Sequence, residues 1–452
     1  MKLVETLISR SLAASRGPIA RGSITSMIIR VAGIGLAFLQ SVLMARLLGA
    51  EGLGIVSVTI AVVQLAANIS VLGLASLAVR EIAAMRVDGN SKGIGRFLLG
   101  AILVLCLVSA MASAFALLAF EILDETLAIY TSILPFALGA VPVIAFIYLW
   151  RGTALGFGDV AGGQIPHDVA RPLLLCLWLG PLFLGAASLT HVTFMQGYLA
   201  VNVLVALLGG WFVWRNLRQL PKGTSKAEQP RIGEHLRKAM PFLGISLLLL
   251  LQSDLATMML AALAGPEQAG LYQPVGRMAA LLLLPNQVVA ARFDSRASEL
   301  WQAGEKERLV HITRSFTRVT TLATLALALP LAAAAWFILH AFGAEFVQMA
   351  PAVWIMAAGY VLAASLGPAG RLNVTAGNAA ISFRWTAGAI VLNLAAGTLL
   401  IPPLGALGAA IAMALALLAH ALGQSFSARR NLGFDFSIWD DIARRSAAKR
   451  DS

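Results

Sequence analysis

Apolar runs of about twenty residues recur from one end of this chain to the other. Each is long enough to cross a hydrocarbon core of about 30 Å as a helix. Twelve are read, at about 27–45, 53–78, 97–120, 127–150, 172–187, 192–214, 239–263, 271–291, 319–340, 351–366, 383–400 and 405–425. In lipid no water satisfies a bare N–H or C=O, so a spanning segment must be a helix or part of a closed barrel. The alternating ten-residue pattern of barrel strands does not appear. Only 12% of the residues are charged and 59% are hydrophobic, against about 25% charged in a soluble domain. The fold class is therefore an all-α integral membrane protein.

The basic residues settle the count of spans. Of 34 Lys and Arg, 31 fall in every second gap: residues 1–26, 79–96, 151–171, 215–238, 292–318, 367–384 and 426–452. The other gaps hold Arg46 alone, and Arg30 and Arg277 lie inside apolar runs. Lys and Arg are retained on the cytoplasmic side. A miscounted span would invert the alternation halfway along the chain, and no inversion occurs. Twelve spans with both termini cytoplasmic follow. The outer loops are too short for an external domain. The net charge of +12 is thus a matter of topology and attraction to anionic head groups, not of nucleic-acid binding. Cys106 and Cys176 both sit in apolar runs, which argues against a disulfide framework or a thiolate metal site. The six His show no metal spacing, no P-loop is present, and no cofactor is implied.

The longest inner gap, 215–238, contains Pro221-Lys222-Gly223-Thr224-Ser225 and reads as a flexible charged linker. It divides the chain into an amphipathic N-terminal segment (1–26), a first lobe of six spans (27–214), a second lobe of six (239–425) and a C-terminal tail (426–452). The lobes look duplicated. Leu47-Leu48-Gly49-Ala50-Glu51-Gly52-Leu53-Gly54 aligns with Leu263-Ala264-Gly265-Pro266-Glu267-Gln268-Ala269-Gly270 at a constant offset, each copy being the outer turn between the first two spans of its half. Arg151 to Gly158 echoes Arg371 to Asn378 more weakly. Six spans repeated in the same orientation give a parallel repeat about an axis along the membrane normal, an arrangement of transporters.

Several stretches resemble a known family. Arg46-Leu-Leu-Gly-Ala-Glu-Gly-Leu-Gly54 and Leu72-Gly-Leu-Ala-Ser-Leu-Ala-Val-Arg80-Glu are similar to turns of Wzx-type oligosaccharide flippases, in the MATE/MOP superfamily. So is the run from Asn373-Val-Thr-Ala-Gly377-Asn378 through Arg384 and Asn393 to Ile401-Pro-Pro-Leu-Gly405-Ala-Leu-Gly408. The resemblance extends over essentially the whole chain. It implies a protein of the bacterial inner membrane that moves a polyprenyl-diphosphate-linked oligosaccharide to the outer leaflet by alternating access. It implies as partners that lipid-linked substrate, membrane lipids, a polymerase and export machinery.

Such a substrate needs cations for the diphosphate and hydrogen-bonding groups for the sugar. Arg suits phosphate because its planar fork donates two parallel bonds. Arg30 and Arg277 are candidates, although either could snorkel to an interface. Gln40, Asn286, Gln287, Asn373, Asn378 and Asn393 add polar capacity; each could equally serve bonding between helices. Asp254 is the acidic residue set well inside a span. It reads either as a partner of Arg277 or as a coupling-ion or proton site. Arg151, Asp168 and Arg171 in one inner loop, with Arg292, Asp294 and Arg371 in two others, read as an inner gate of salt bridges or as ordinary inner-side charge.

Three alternatives compete with this reading. A drug/cation antiporter would favour acidic residues deep in the first lobe, where none lies. A membrane polymerase or ligase needs a large outer loop carrying catalytic residues, so an enzyme is not expected. A flippase for the peptidoglycan precursor obeys the same physics, and the Ala-Gly-Asn and Ile-Pro-Pro stretches favour the export branch.

Overall fold

The computed structural model describes residues 18–122, 128–185, 189–220, 232–433 and 436, and the described residues are helical wherever they are regular. Most of the N-terminal segment, the middle of the linker and most of the C-terminal tail lie outside them. Residues from Pro18 onward already belong to the first helix. At the other end the last helix runs to Leu432, seven residues past the apolar run.

Two helices are 54 residues long, Pro18–Val71 and Ala379–Leu432. A straight helix of that length would measure about 80 Å, more than twice the hydrocarbon thickness. Each is two helices meeting at one glycine: Gly49 at φ 67° and Gly405 at φ 54°. That left-handed backbone is open to glycine at little cost. Among the described residues nine helices are long and apolar enough to span, and the bent pair running from Pro266 to Gln302 makes a tenth. Dividing the two 54-residue helices at their glycines brings the count to the twelve read from sequence.

Lipid as solvent is visible on the helix surfaces. On Ser91–Ile122, Leu99, Leu103, Leu107, Met111 and Phe115 form a stripe at four-residue spacing, each more than half exposed. The face that packs inward holds Phe97, Leu98, Ala101, Leu105 and Ser109. A water-soluble helix would reverse that polarity.

The chain divides into two compact units. One holds the chain up to Leu47 and Thr59–Leu249; the other holds Leu48–Val58 and the chain from Leu250. The second border falls inside the helix Ile232–Ala264. Its first half packs on the first unit, where a Cβ at Gly73 would overlap the Ala239 carbonyl.

The duplication extends well beyond the eight aligned residues. A short 3-10 turn at Ala128–Ile133 leads into the helix from Leu134, and another at Ala344–Met349 leads into the helix from Ala350. Their starts are 216 positions apart, the same offset as Gly54 and Gly270 (128 to 344, 54 to 270). Gly158 and Gly377 both have positive φ and precede the helix caps Asp159 and Asn378. The second span of each half is broken, at Leu72–Gly73 and at Leu282–Leu283. Within the second unit the two outer turns cross at their glycines. A Cβ at Gly54 would overlap the carbonyl oxygen of Pro266, and one at Gly270 would overlap that of Ala50. Ala50 and Pro266 are themselves equivalent, so the crossing has local two-fold symmetry. Glu345 accepts the Ala50 N–H at 2.8 Å, and Gln268 accepts the Ala406 N–H at 3.0 Å.

Candidate functional site

The first unit brings together charged side chains of the inner gap 151–171 and of the first helix. The helix Leu134–Gly156 carries Arg151 one turn before its end. A tight turn follows, held by Asp159, which accepts from the Gly162 N–H at 2.8 Å, from Arg215 at 3.1 Å and from Asn216 at 3.0 Å. The chain then winds as a π-helix over Ile165–Ala170 before the α-helix Arg171–Leu184. Pro166 brings no N–H to the first turn of that segment. Widened turns of this kind re-aim side chains and are frequent at functional sites.

The π turn points Asp168 back at Arg151. The two pair as fork to fork, both bonds at 3.3 Å. His167 Nδ1 stands 2.7 Å from Asp168 Oδ1 and 3.2 Å from an Arg151 nitrogen. Arg171 donates to the Tyr198 hydroxyl, and its guanidinium lies 5.1 Å from the ring centroid of that residue. Arg30 on the first helix is within electrostatic reach of Asp168. Helix approach makes this possible: a Cβ at Gly33 would overlap the Asp168 carbonyl oxygen. Three guanidiniums thus lie around the Asp168–His167 pair, Arg151 bonded to the carboxylate, Arg30 acting on it and Arg171 acting on His167, and their formal charges exceed that of the carboxylate by two. None of Arg151, His167 and Asp168 is fully buried.

Arg151 also lines a cavity of about 210 Å³ at the break in the second span, with Asn68, Ser76, Tyr148 and Ser246 on its walls. The break itself is strained. Leu72 has φ 49°, a left-handed conformation costing about 1–2 kcal/mol in a residue with a Cβ. It ends one helix and starts the next at Leu74, which opens space beside Arg151.

The second unit holds a different arrangement. Arg371 donates to Asp294 at 2.5 Å and to Asn286 at 3.4 Å. Asn373 is buried and donates to Gln424 at 3.0 Å, in a network with Ser382 and His420. Asn393 is buried against Met413, 3.7 Å away. Both amides thus sit in helix packing. Gln287 and Arg292 are exposed, and Asn378 occupies a helix N-cap position. Asp254 is partly buried, and the charge of Arg277 acts on it. In the first unit, Gln40 contacts Met44 at 3.4 Å.

The structure therefore joins Arg30 to Arg151, Asp168 and Arg171, which sequence reading had assigned to separate roles. His167, Tyr148 and Tyr198 went unnamed. The adjacency of His167 to Asp168 was the one available signal for the first; the aromatics had none.

Residues 19–294 match the family described as polysaccharide biosynthesis protein. Among solved structures, an inward-facing multidrug resistance MATE family transporter of the MOP superfamily superposes with TM-score 0.71 at 16% identity, covering 90% of this chain and 98% of its own. An outward-facing conformation of such a transporter gives TM-score 0.60 at 17% identity, with 92% and 97% covered. A MOP superfamily transporter from Pyrococcus furiosus, whose binding pocket is described as reversed in polarity, gives 0.61 at 16%, with 92% and 97% covered. At these identities the likeness is one of fold. None of the curated proteins matches the chain. The family match spans more than half of the sequence, and the chain belongs to the polysaccharide biosynthesis protein family as a multi-pass membrane protein of MATE fold.

Proposed function

We propose that this protein is a transporter, not an enzyme, and that it flips a polyprenyl-diphosphate-linked oligosaccharide from the cytoplasmic to the outer leaflet of a bacterial inner membrane by alternating access. The observation that carries the reading is the cluster of Arg30, Arg151 and Arg171 around Asp168 and His167, beside a cavity whose walls include Asn68, Ser76 and Ser246. An excess of two positive charges matches a diphosphate diester, which carries two negative charges. Planar guanidiniums bind phosphate oxygens in pairs. Asn68, Ser76 and Ser246 are suited to hydroxyl-rich sugar. A cationic drug would meet repulsion at the same place. The basic gaps support a topology with both termini in the cytoplasm, and a polymerase and export machinery are the partners this role calls for. Asp254, under the charge of Arg277, is either a lobe-packing partner or the site of a coupling ion.

Binding separates the flippase from the antiporter. The purified chain in nanodiscs should bind a nucleotide sugar, which carries the same diphosphate diester, and should not bind a quaternary ammonium dye. Binding of the dye alone would contradict the proposal.

A further inference from the structure

His167 belongs to the cluster but has no part in the reading above, and its hydrogen bonding fixes its protonation pattern. Nδ1 lies 2.7 Å from Asp168 Oδ1, a carboxylate oxygen that can only accept. Nδ1 therefore carries the hydrogen, and the neighbouring Arg151 nitrogen at 3.2 Å is a second donor to that carboxylate. In the neutral ring the lone pair is then on Nε2, the one atom there able to take a proton near neutral pH. The ring is about a quarter exposed.

Around it stand Tyr148 and Arg151 from Leu134–Gly156, Asp168 from its own segment and Arg171 from the next helix; behind these, Arg30 of the first helix acts on Asp168, and Tyr198 of His191–Arg218 accepts from Arg171. Without an anion, three guanidiniums outnumber one carboxylate, and a fourth positive charge on His167 is repelled. A diphosphate docked on those guanidiniums brings two negative charges to the same place and removes the repulsion. Binding the anion and binding the proton must then favour each other equally, because linkage is reciprocal.

Resting on the diphosphate reading of this site, we propose that His167 is its proton-linked member, taking one proton from solution onto Nε2 as the diphosphate docks and returning it as the diphosphate leaves. The proton moves with the anion, so substrate occupancy and proton occupancy of the first unit are one event.

The test is calorimetric titration of the full chain in nanodiscs with a uridine diphosphate sugar, whose diphosphate keeps its charge across neutral pH. Uptake of one proton per anion raises affinity about tenfold per pH unit, so the wild type should bind roughly a hundredfold more tightly near pH 6 than near pH 8. Titration in two buffers of different ionisation heat should show close to one proton taken up per anion. His167→Gln keeps a donor for Asp168 and should bind with no pH dependence. Equal affinity at both pH values, no proton uptake, or a wild-type slope in His167→Gln overturns the inference and leaves the diphosphate reading standing. Absence of binding at both pH values overturns that reading, and this inference with it. Proton uptake is measured on the wild type, so the test does not depend on the variant folding.

Discussion

Arg151 and Arg371 stand at matching places in the two halves, yet they meet different company. Arg371 has Asp294 at 2.5 Å and Asn286 at 3.4 Å, both on the helix Leu284–Gln302 that follows the break in the eighth span. Arg151 faces the equivalent break in the second span, where a cavity opens with Asn68, Ser76 and Ser246 on its walls. Its carboxylate comes from the other side, across the π turn. Both arginines are paired within their own lobes, and Arg151 in addition borders a cavity. Arg151→Gln should weaken binding of a diphosphate sugar at least tenfold, since a charge-assisted bond contributes about 1.5–3 kcal/mol. Arg371→Gln should leave that binding within twofold and lower the unfolding temperature in detergent. Asp254→Asn distinguishes its two readings: ion-driven transport is abolished if the carboxylate holds a coupling ion, and unchanged transport would assign it to packing with Arg277. Sequence marked the individual charges, because an ion in an apolar run stands out. It did not mark their grouping. Arg30 and Asp168 are brought together by Gly33, whose missing side chain is one of many in a glycine-rich chain. His167 was passed over because its neighbour, not its spacing to other histidines, gives it meaning.

At the scale of elements, glycine sets where helices turn and how closely they cross. Gly54 and Gly270 each lie against a carbonyl oxygen of the opposite outer turn. Gly54→Ala or Gly270→Ala should cost about 1–3 kcal/mol by overpacking, read as a lower unfolding midpoint. Gly35 and Gly388 are also helical and have nothing within 4 Å of a built Cβ. Alanine there should be neutral or stabilising by up to about 1 kcal/mol from helix propensity. If all four variants behaved alike, the symmetric crossing would be wrong. The break at Leu72 gives an opposite prediction: Leu72→Gly should relieve left-handed strain and raise or preserve stability. The twelve spans and the paired outer turns could be read in sequence because length, charge and a short repeated motif encode them. The breaks could not. Leu282–Leu283 looks like uninterrupted helix, and the π turn at Ile165–Ala170 packs against Leu134–Gly156 and His191–Arg218, partners distant in sequence.

For the whole molecule, topology and fold agree from independent directions. Alternating basic gaps give twelve spans, glycine reversals and one bent pair give the same number, and solved MATE structures cover nine-tenths of the chain. Orientation can be checked at two turns. A fluorescent protein that matures only in the cytoplasm should light up when fused after Gly89 and stay dark after Gly265; the reverse pattern would invert the assignment. The central claim is transport of a diphosphate-linked glycolipid, and reconstitution reaches it most directly. Purified protein in liposomes should move a fluorescent polyprenyl-diphosphate oligosaccharide between leaflets, with the rate lost in Arg151→Gln. Flipping no faster than in protein-free liposomes, or an unchanged rate in that variant, would contradict the account.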